Sequence, residues 1–298
     1  MHIESHALSS HPLSDAETDF PFTDSAGTHK PTHTDNLDAT RLRHRSATWS
    51  LGALLPLLVL SLLELGGARG WIPEHLLPPP SEIAQTIVNL AGHDLAIHVL
   101  ASVTRVAVGF ALGSLLAIGF GLLVGMQRQA EALLEPSFQA LRAIPSLAWV
   151  PLLLLWLGID ETPKIVLIAI GAFFPVYINL VAGIHSVDRK LLELAKIHGL
   201  SSREVIRRIV LPSALPQLFT GLRTGLSLAW MFLVAAEMMA ATKGVGYLLS
   251  DGRESSRPDI VLAAILILAI MGKLSDSILK RIETRKLAWR DVLVSSPR

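Results

Sequence analysis

The chain of 298 residues has no cysteine. Disulfides, thiolate catalysis and cysteine-type zinc sites are therefore excluded, and nothing about the redox compartment can be read from cysteine usage. Charge is also scarce: Asp, Glu, Lys and Arg make up 17% of the residues, against about 25% in a soluble domain. The net charge of +1 gives no overall basic character and so no argument for nucleic acid. No G-x-x-x-x-G-K-[ST] run occurs, so the chain has no phosphate cradle of its own. Nothing in the sequence calls for a cofactor or a metal.

What is present is apolar. Hydrophobic residues reach 51% and mean hydropathy is +0.48. The apolar residues are gathered into long, nearly charge-free runs, which indicates an all-α polytopic membrane protein. A bilayer core of about 30 Å needs roughly 20 helical residues. Six segments qualify: Trp49–Gly67, Val99–Met126, Phe138–Ile159, Lys164–Ile184, Leu215–Ala241 and Asp259–Leu279. The expected organisation is a tail (1–46), a transmembrane domain (47–280) containing a polar loop (187–213), and a second tail (281–298).

The first tail is rich in Ser, Thr, Asp, His and Pro and reads as disordered and cytoplasmic. Its His2, His6, His11, His29, His33 and His44 are irregularly spaced, which favours a solvated tail over a metal site. It is no signal peptide, because the first apolar run begins too far in. Prolines 145, 151, 175 and 216 fall in or beside the spans and suggest kinks rather than breaks. Gly109, Gly113, Gly119, Gly121 and Gly125 thread the second span, where small residues let helices approach.

Lys and Arg mark the inner side. Arg41, Arg43 and Arg45 precede the first span, Arg128 follows the second, six basic residues fill the loop after the fourth, and Lys280, Arg281, Arg285, Lys286 and Arg290 follow the sixth. Both termini are expected in the cytoplasm. Trp49 and Trp71 flank the first span as interfacial anchors. Outside, Pro78-Pro79-Pro80-Ser81 leads into a short helix, Glu82–Ala91, which Ser81 can cap.

The loop 187–213 is too polar to span and too patterned for a linker. Arg189–His198 has helical spacing, with Leu191, Leu194, Ala195 and His198 toward one side. Gly199 follows where a helix ends in a left-handed residue. Ser201-Ser202-Arg203-Glu204 is a capping-box pattern that opens a second helix to Val210, with Arg203, Arg207 and Arg208 on its outer face. Leu211-Pro212 is expected to stop that helix, and Pro216 to begin the fifth span.

Glu193-Leu194-Ala195-x3-Gly199-x9-Ile209-x-Leu211-Pro212 resembles the E-A-A-x3-G-x9-I-x-L-P signature of ABC importer permeases, with Leu194 where alanine is usual. The resemblance implies the permease fold, with six transmembrane helices and a cytoplasmic coupling-helix hairpin that docks on a separate ATP-binding cassette subunit. It implies that Glu193, Ala195 and Gly199 form the docking turn, with Ser201, Arg203, Arg207, Ile209, Leu211 and Pro212 in the same coupling element. Six spans also suggest a homodimer, which gives two hairpins for two ATPase subunits, and the resemblance implies a periplasmic or lipid-anchored solute-binding protein. Arg142–Ser146, Trp156–Glu161, Phe174–Asn179, Gly244–Leu248 and Gly272–Asp276 are similar to permeases of the aliphatic sulfonate group, which also serves taurine, nitrate and bicarbonate. The solute it implies is a small organic anion.

Ionisable residues within spans cost about 2.5–3.5 kcal/mol each at mid-helix, which makes Arg105, Arg223 and Glu237 candidates for the translocation path, with Asn179. Glu237 is expected to pair with Arg105, since both sit at similar depth. Lys273 and Asp276, at i and i+3, are expected to pair with each other. An ion-coupled secondary transporter and a channel share this topology but need no coupling loop. A membrane enzyme needs converging catalytic groups, and His98 and His198 are placed on opposite sides.

Overall fold

The computed structural model describes residues 54–73 and 75–289. The histidine-containing tail, Arg41, Arg43, Arg45, Trp49 and the last residues, 290–298, lie outside them. Two units are distinguished, residues 1–57 and 58–298; the first is described only by the opening turn of α1. Among the described residues every regular element is helical. They are α1 (Leu54–Ala68), α2 (Pro80–Ala91), α3 (Leu95–Met126), α4 (Arg128–Ala143), α5 (Trp149–Leu157), α6 (Glu161–His185), α7 (Arg189–Ile197), α8 (Ser202–Val205), α9 (Leu211–Ala240), α10 (Val245–Glu254) and α11 (Pro258–Lys286).

Four of these are long and apolar enough to cross a membrane: α3, α6, the continuous run Ser202–Ala240, and α11. The segment expected as the third span is not one rod. α4 and the run Ser146–Leu157 meet at an 80° bend, so they form a broken span or a re-entrant pair. Pro145 sits at the break, at the cap of the turn Ser146–Ala148, and Ile144 before it is extended (ψ 123), as the residue preceding a proline prefers. Pro175 and Pro216, by contrast, lie inside α6 and α9, as kink-tolerant prolines do when neighbours supply the packing. The first expected span appears as the 15-residue α1, its opening residues 49–53 lying outside the described ones. α11 runs past residue 280 to Lys286.

α6 is the central helix. Ile168, Ala172, Val176 and Leu180 have no solvent exposure. The glycines of α3 face it at intervals of four: a side chain on Gly109 would strike Ile168, on Gly113 the main chain of Ala169, on Gly121 Leu180, and on Gly125 Ile184. On the opposite side, Gly221 and Gly225 of α9 approach the α6 carbonyls of Pro175 and Ala172. Removing Cβ atoms along these rows lets the backbones close to near contact, which is how helices gain packing energy where no hydrophobic drive exists. Gly119 has nothing within 4 Å and takes no part in the seam.

Two local expectations are corrected. Ser81 does not cap α2; Pro79 holds the cap position, and the Ser81 amide and hydroxyl donate to the Glu64 carboxylate on α1 at 3.1 and 2.7 Å. One of the orphan first-turn N–H groups is thus satisfied from another helix. Nor does Leu211-Pro212 stop the helix begun at Ser202. Residues Ile206–Val210 form a π turn, in which Leu211 N donates to Ile206 O. The wider turn makes room for the Pro212 ring, so the rod continues into α9.

Candidate functional site

The hairpin forms as its sequence dictates. α7 ends with Gly199 at φ +66, and Leu200 N donates to Ala195 O at 3.0 Å. This is the left-handed terminus that glycine adopts without a Cβ penalty. Ser201 then caps α8: its hydroxyl accepts from Glu204 N, and the Glu204 carboxylate accepts from Ser201 N at 3.1 Å. Glu204 also reaches Arg208 at 3.4 Å.

The α7 faces differ from expectation. Ala195 is buried at 3% exposure, while Leu191, Leu194 and Ile197 are 44%, 51% and 79% exposed. The inward row is Leu192 and Ala195, because the turn at Gly199 fixes the rotation of α7 over α6 and the start of α9. Glu193, Gly199, Ser201, Arg203 and Arg207 are exposed as well. Ile209 is half-buried, and Leu211 and Pro212 enter α9. An open cavity of about 520 Å³ lies behind the hairpin, lined by Gly125, Ile184, His185, Leu192, Leu200 and Val205.

A second polar cluster lies at the far ends of the same rods. α3 alone spans about 48 Å between its termini. Here Arg105 is 4% exposed and Glu237 1%. The expected pair is present, with Arg105 Nη1 donating to Glu237 Oε1 at 2.7 Å. Arg105 has a further partner that sequence reasoning missed: Nε and Nη2 bind both oxygens of Glu161 at 2.5 and 2.7 Å, and Lys164 joins Glu161 at 3.3 Å. Ser102, fully buried, donates to the Glu237 carboxylate at 2.8 Å. Ser102 was legible in principle, since His98, Ser102 and Arg105 fall on one face of α3 at spacings of four and three.

The other path candidates sit elsewhere. Arg223 on α9 binds Asp276 on α11 through Nε at 2.9 Å and Nη2 at 3.2 Å. The expected Lys273–Asp276 pair is therefore replaced, because a planar guanidinium matches both carboxylate oxygens as an ammonium cannot. Asn179 donates to Pro175 O of its own helix at 2.8 Å rather than across helices. The structure brings Arg105 and Glu237 together, and leaves Arg223 and Asn179 apart from them. Among the described residues, no group of three or more His, Asp or Glu side chains is arranged to hold a metal ion.

The chain is similar to known proteins. Residues 109–287 match the family described as "Binding-protein-dependent transport system inner membrane component". The chain is 42% identical over 244 residues to the "Putative aliphatic sulfonates transport permease protein SsuC" of Bacillus subtilis, covering 82% of this chain and 88% of that protein. It is 34% identical over 255 residues to the "Taurine transport system permease protein TauC" of Escherichia coli, covering 82% and 90%. An inward-facing structure of the MetNI methionine ABC transporter superposes with a TM-score of 0.54 at 19% identity, over 64% of this chain and 95% of that one, which shows a common fold. The hairpin, the glycine-seamed helices and these likenesses agree: the chain belongs to the family of multi-pass inner membrane components of binding-protein-dependent transport systems.

Proposed function

We propose that this chain is the transmembrane subunit of an ABC importer that carries a small organic anion, an aliphatic sulfonate in the first instance, using ATP hydrolysed by a separate subunit. The observation that carries the reading is the hairpin. Its exposed row of Leu191, Leu194 and Ile197, flanked by Glu193, Arg203 and Arg207, presents apolar and charged contacts at the end of a rod that runs unbroken to Ala240. A push on α7 and α8 is transmitted along α9 because helices are stiff and the π turn keeps the rod continuous. The sulfonate assignment rests on the likeness to the Bacillus subtilis protein, and taurine is the alternative that the Escherichia coli relative favours.

The Lys and Arg distribution supports cytoplasmic termini and a cytoplasmic hairpin. Arg203, Arg207 and Arg208 are exposed and suited to the ATPase surface or to anionic lipid headgroups. A homodimer supplies two hairpins to two ATPase subunits, and a solute-binding protein delivers the anion from the outer side.

The test is reconstitution with the ATPase subunit and the solute-binding protein in proteoliposomes. Uptake of an alkanesulfonate is expected to need ATP and to fail on substitution of Glu193 or Gly199, together with loss of solute-stimulated hydrolysis. Uptake driven by an ion gradient without the ATPase would sink the reading and favour a secondary transporter.

A further inference from the structure

The strap Lys243–Gly246, which joins α9 to α10, is fastened group by group. Lys243 O accepts from Arg105 Nη1 at 2.6 Å. Gly244 N donates to His98 Nδ1 at 3.0 Å, Val245 N to Ser102 Oγ at 2.9 Å, and Gly246 N to Glu237 Oε2 at 2.8 Å. The last two donors are the first free N–H groups of α10, so a buried carboxylate of α9 and a hydroxyl of α3 cap that helix. Both glycines are required by the same carboxylate. Gly244 has φ +134 and a Cβ there would run into the Glu237 carboxyl, while a Cβ on Gly246 would lie 2.8 Å from Glu237 Cβ.

The cluster offers an arriving anion little. Arg105 Nε, Nη1 and Nη2 are all engaged, by Glu161, Glu237 and Lys243 O. Glu237 is sealed from solvent and would repel an anion. Its contacts point instead at the strap. α10 packs Val245, at its start within the strap, and Leu248, beyond it, on Ile260, Ala264 and Ile267 of α11. Open clefts flank the strap: one of about 410 Å³ reaches Lys243, Arg105, Glu161 and Ile97, and one of about 430 Å³ reaches Tyr247, His98, Asp251 and Arg257. Both lie at the end of the rods away from the hairpin.

We propose that Glu237 is a positioning residue for transport: with Arg105 and Ser102 it clamps the strap Lys243–Gly246 to the top of α9, so that the rod moved by the hairpin carries the strap and α10 with it and gates the mouth opposite the hairpin. The inference rests on the importer reading above and deepens it. The hairpin end and the clamp end belong to one rod, Ser202–Ala240, about 58 Å long at the α-helical rise. Without the clamp, hydrolysis at one end would no longer move the other.

The absence of cysteine makes the test clean. In the reconstituted complex with its ATPase and binding protein, Lys243→Cys is labelled with a water-soluble maleimide, with and without vanadate trapping of the nucleotide. The labelling rate is expected to change at least about fivefold between the two states, and Glu237→Gln is expected to abolish that change and the stimulation of hydrolysis by loaded binding protein. Glu237→Asp, which keeps the charge, should restore part of both. Gly244→Ala, which crowds the carboxylate without touching its charge, should act like Glu237→Gln and serves if that variant fails to assemble. State-independent labelling in the native background would overturn the proposal. So would a Glu237→Gln complex with normal stimulation. Loss of transport with stimulation kept and the solute KM raised would place Glu237 on the solute instead. Failure of the native chain to bind any ATPase would sink the importer reading itself, a separate outcome.

Discussion

Arg223 on α9 meets Asp276 on α11 side-on, with Nε–Oδ1 at 2.9 Å and Nη2–Oδ2 at 3.2 Å, and its Nη1 lies 3.6 Å from Glu283. Three charged groups are thus satisfied among themselves on two helices that are also joined by Trp230 Nε1 donating to Ser275 Oγ at 2.9 Å. A double-mutant cycle on Arg223→Gln and Asp276→Asn is expected to give a coupling of about 1–3 kcal/mol in thermal unfolding of the detergent-solubilised protein. Arg223→Asp, which sets three carboxylates together, should cost more than either. Additive losses in the cycle would show that the pair is not coupled.

The α3–α6 seam gives a controlled comparison. Gly113→Ala forces a methyl group onto the Ala169 main chain, which cannot rotate away, whereas Gly119→Ala enters open space. The first should lower the melting temperature. The second should leave it unchanged or raise it slightly, since alanine is the better helix former by about 1 kcal/mol. Equal effects at the two positions would contradict the seam.

At the hairpin, Ser201→Ala removes the oxygen that accepts from Glu204 N, at a cost of about 1 kcal/mol. Gly199→Ala puts a Cβ on a residue at φ +66, costing a further ~1 kcal/mol. Neither loss should unfold a protein of this size. Both should reduce solute-stimulated ATP hydrolysis, and preserved stimulation in the double variant would show that hairpin geometry does not govern coupling.

Tyr177 ties α4 to the core. Its hydroxyl donates to Glu135 Oε2 at 2.5 Å, and its ring stacks on Phe173 at 5.8 Å and tilts against Phe138 at 4.9 Å. Tyr177→Phe is expected to cost about 1 kcal/mol and to raise hydrogen exchange in α4, whose residues are all at least partly exposed. Tyr177→Leu should cost more, through loss of the aromatic contacts. Unchanged exchange in α4 would mean that the apolar contacts of Leu134 and Phe138 hold it.

Local features were legible in the sequence because their partners are a turn away. The capping box is an i to i+3 exchange between Ser201 and Glu204, and the left-handed terminus needs only Gly199 in place. The four apolar rods were legible from length and hydropathy, and the Arg105–Glu237 pair from matching depth. The expected face of α7, Leu191, Leu194, Ala195 and His198, held only at Ala195, because periodicity names a stripe but not the direction it points. Pro145 and Pro212 were exchanged in effect. The first breaks its segment and the second is absorbed, since the outcome depends on whether the turn before a proline can widen.

The amino-acid sequence by itself determined the class of protein, the approximate rods and the hairpin, because hydropathy, charge placement and short-range hydrogen bonds act over one or two turns. Only the tertiary structure decided that Glu161 would share Arg105, that Asp276 would take Arg223 over Lys273, and that Glu237 would fasten Gly246. Those choices depend on the axial register of α3, α6, α9 and α11. For α3, α6 and α9 that register is set where glycine rows let backbones touch, at contacts tens of residues apart in the chain.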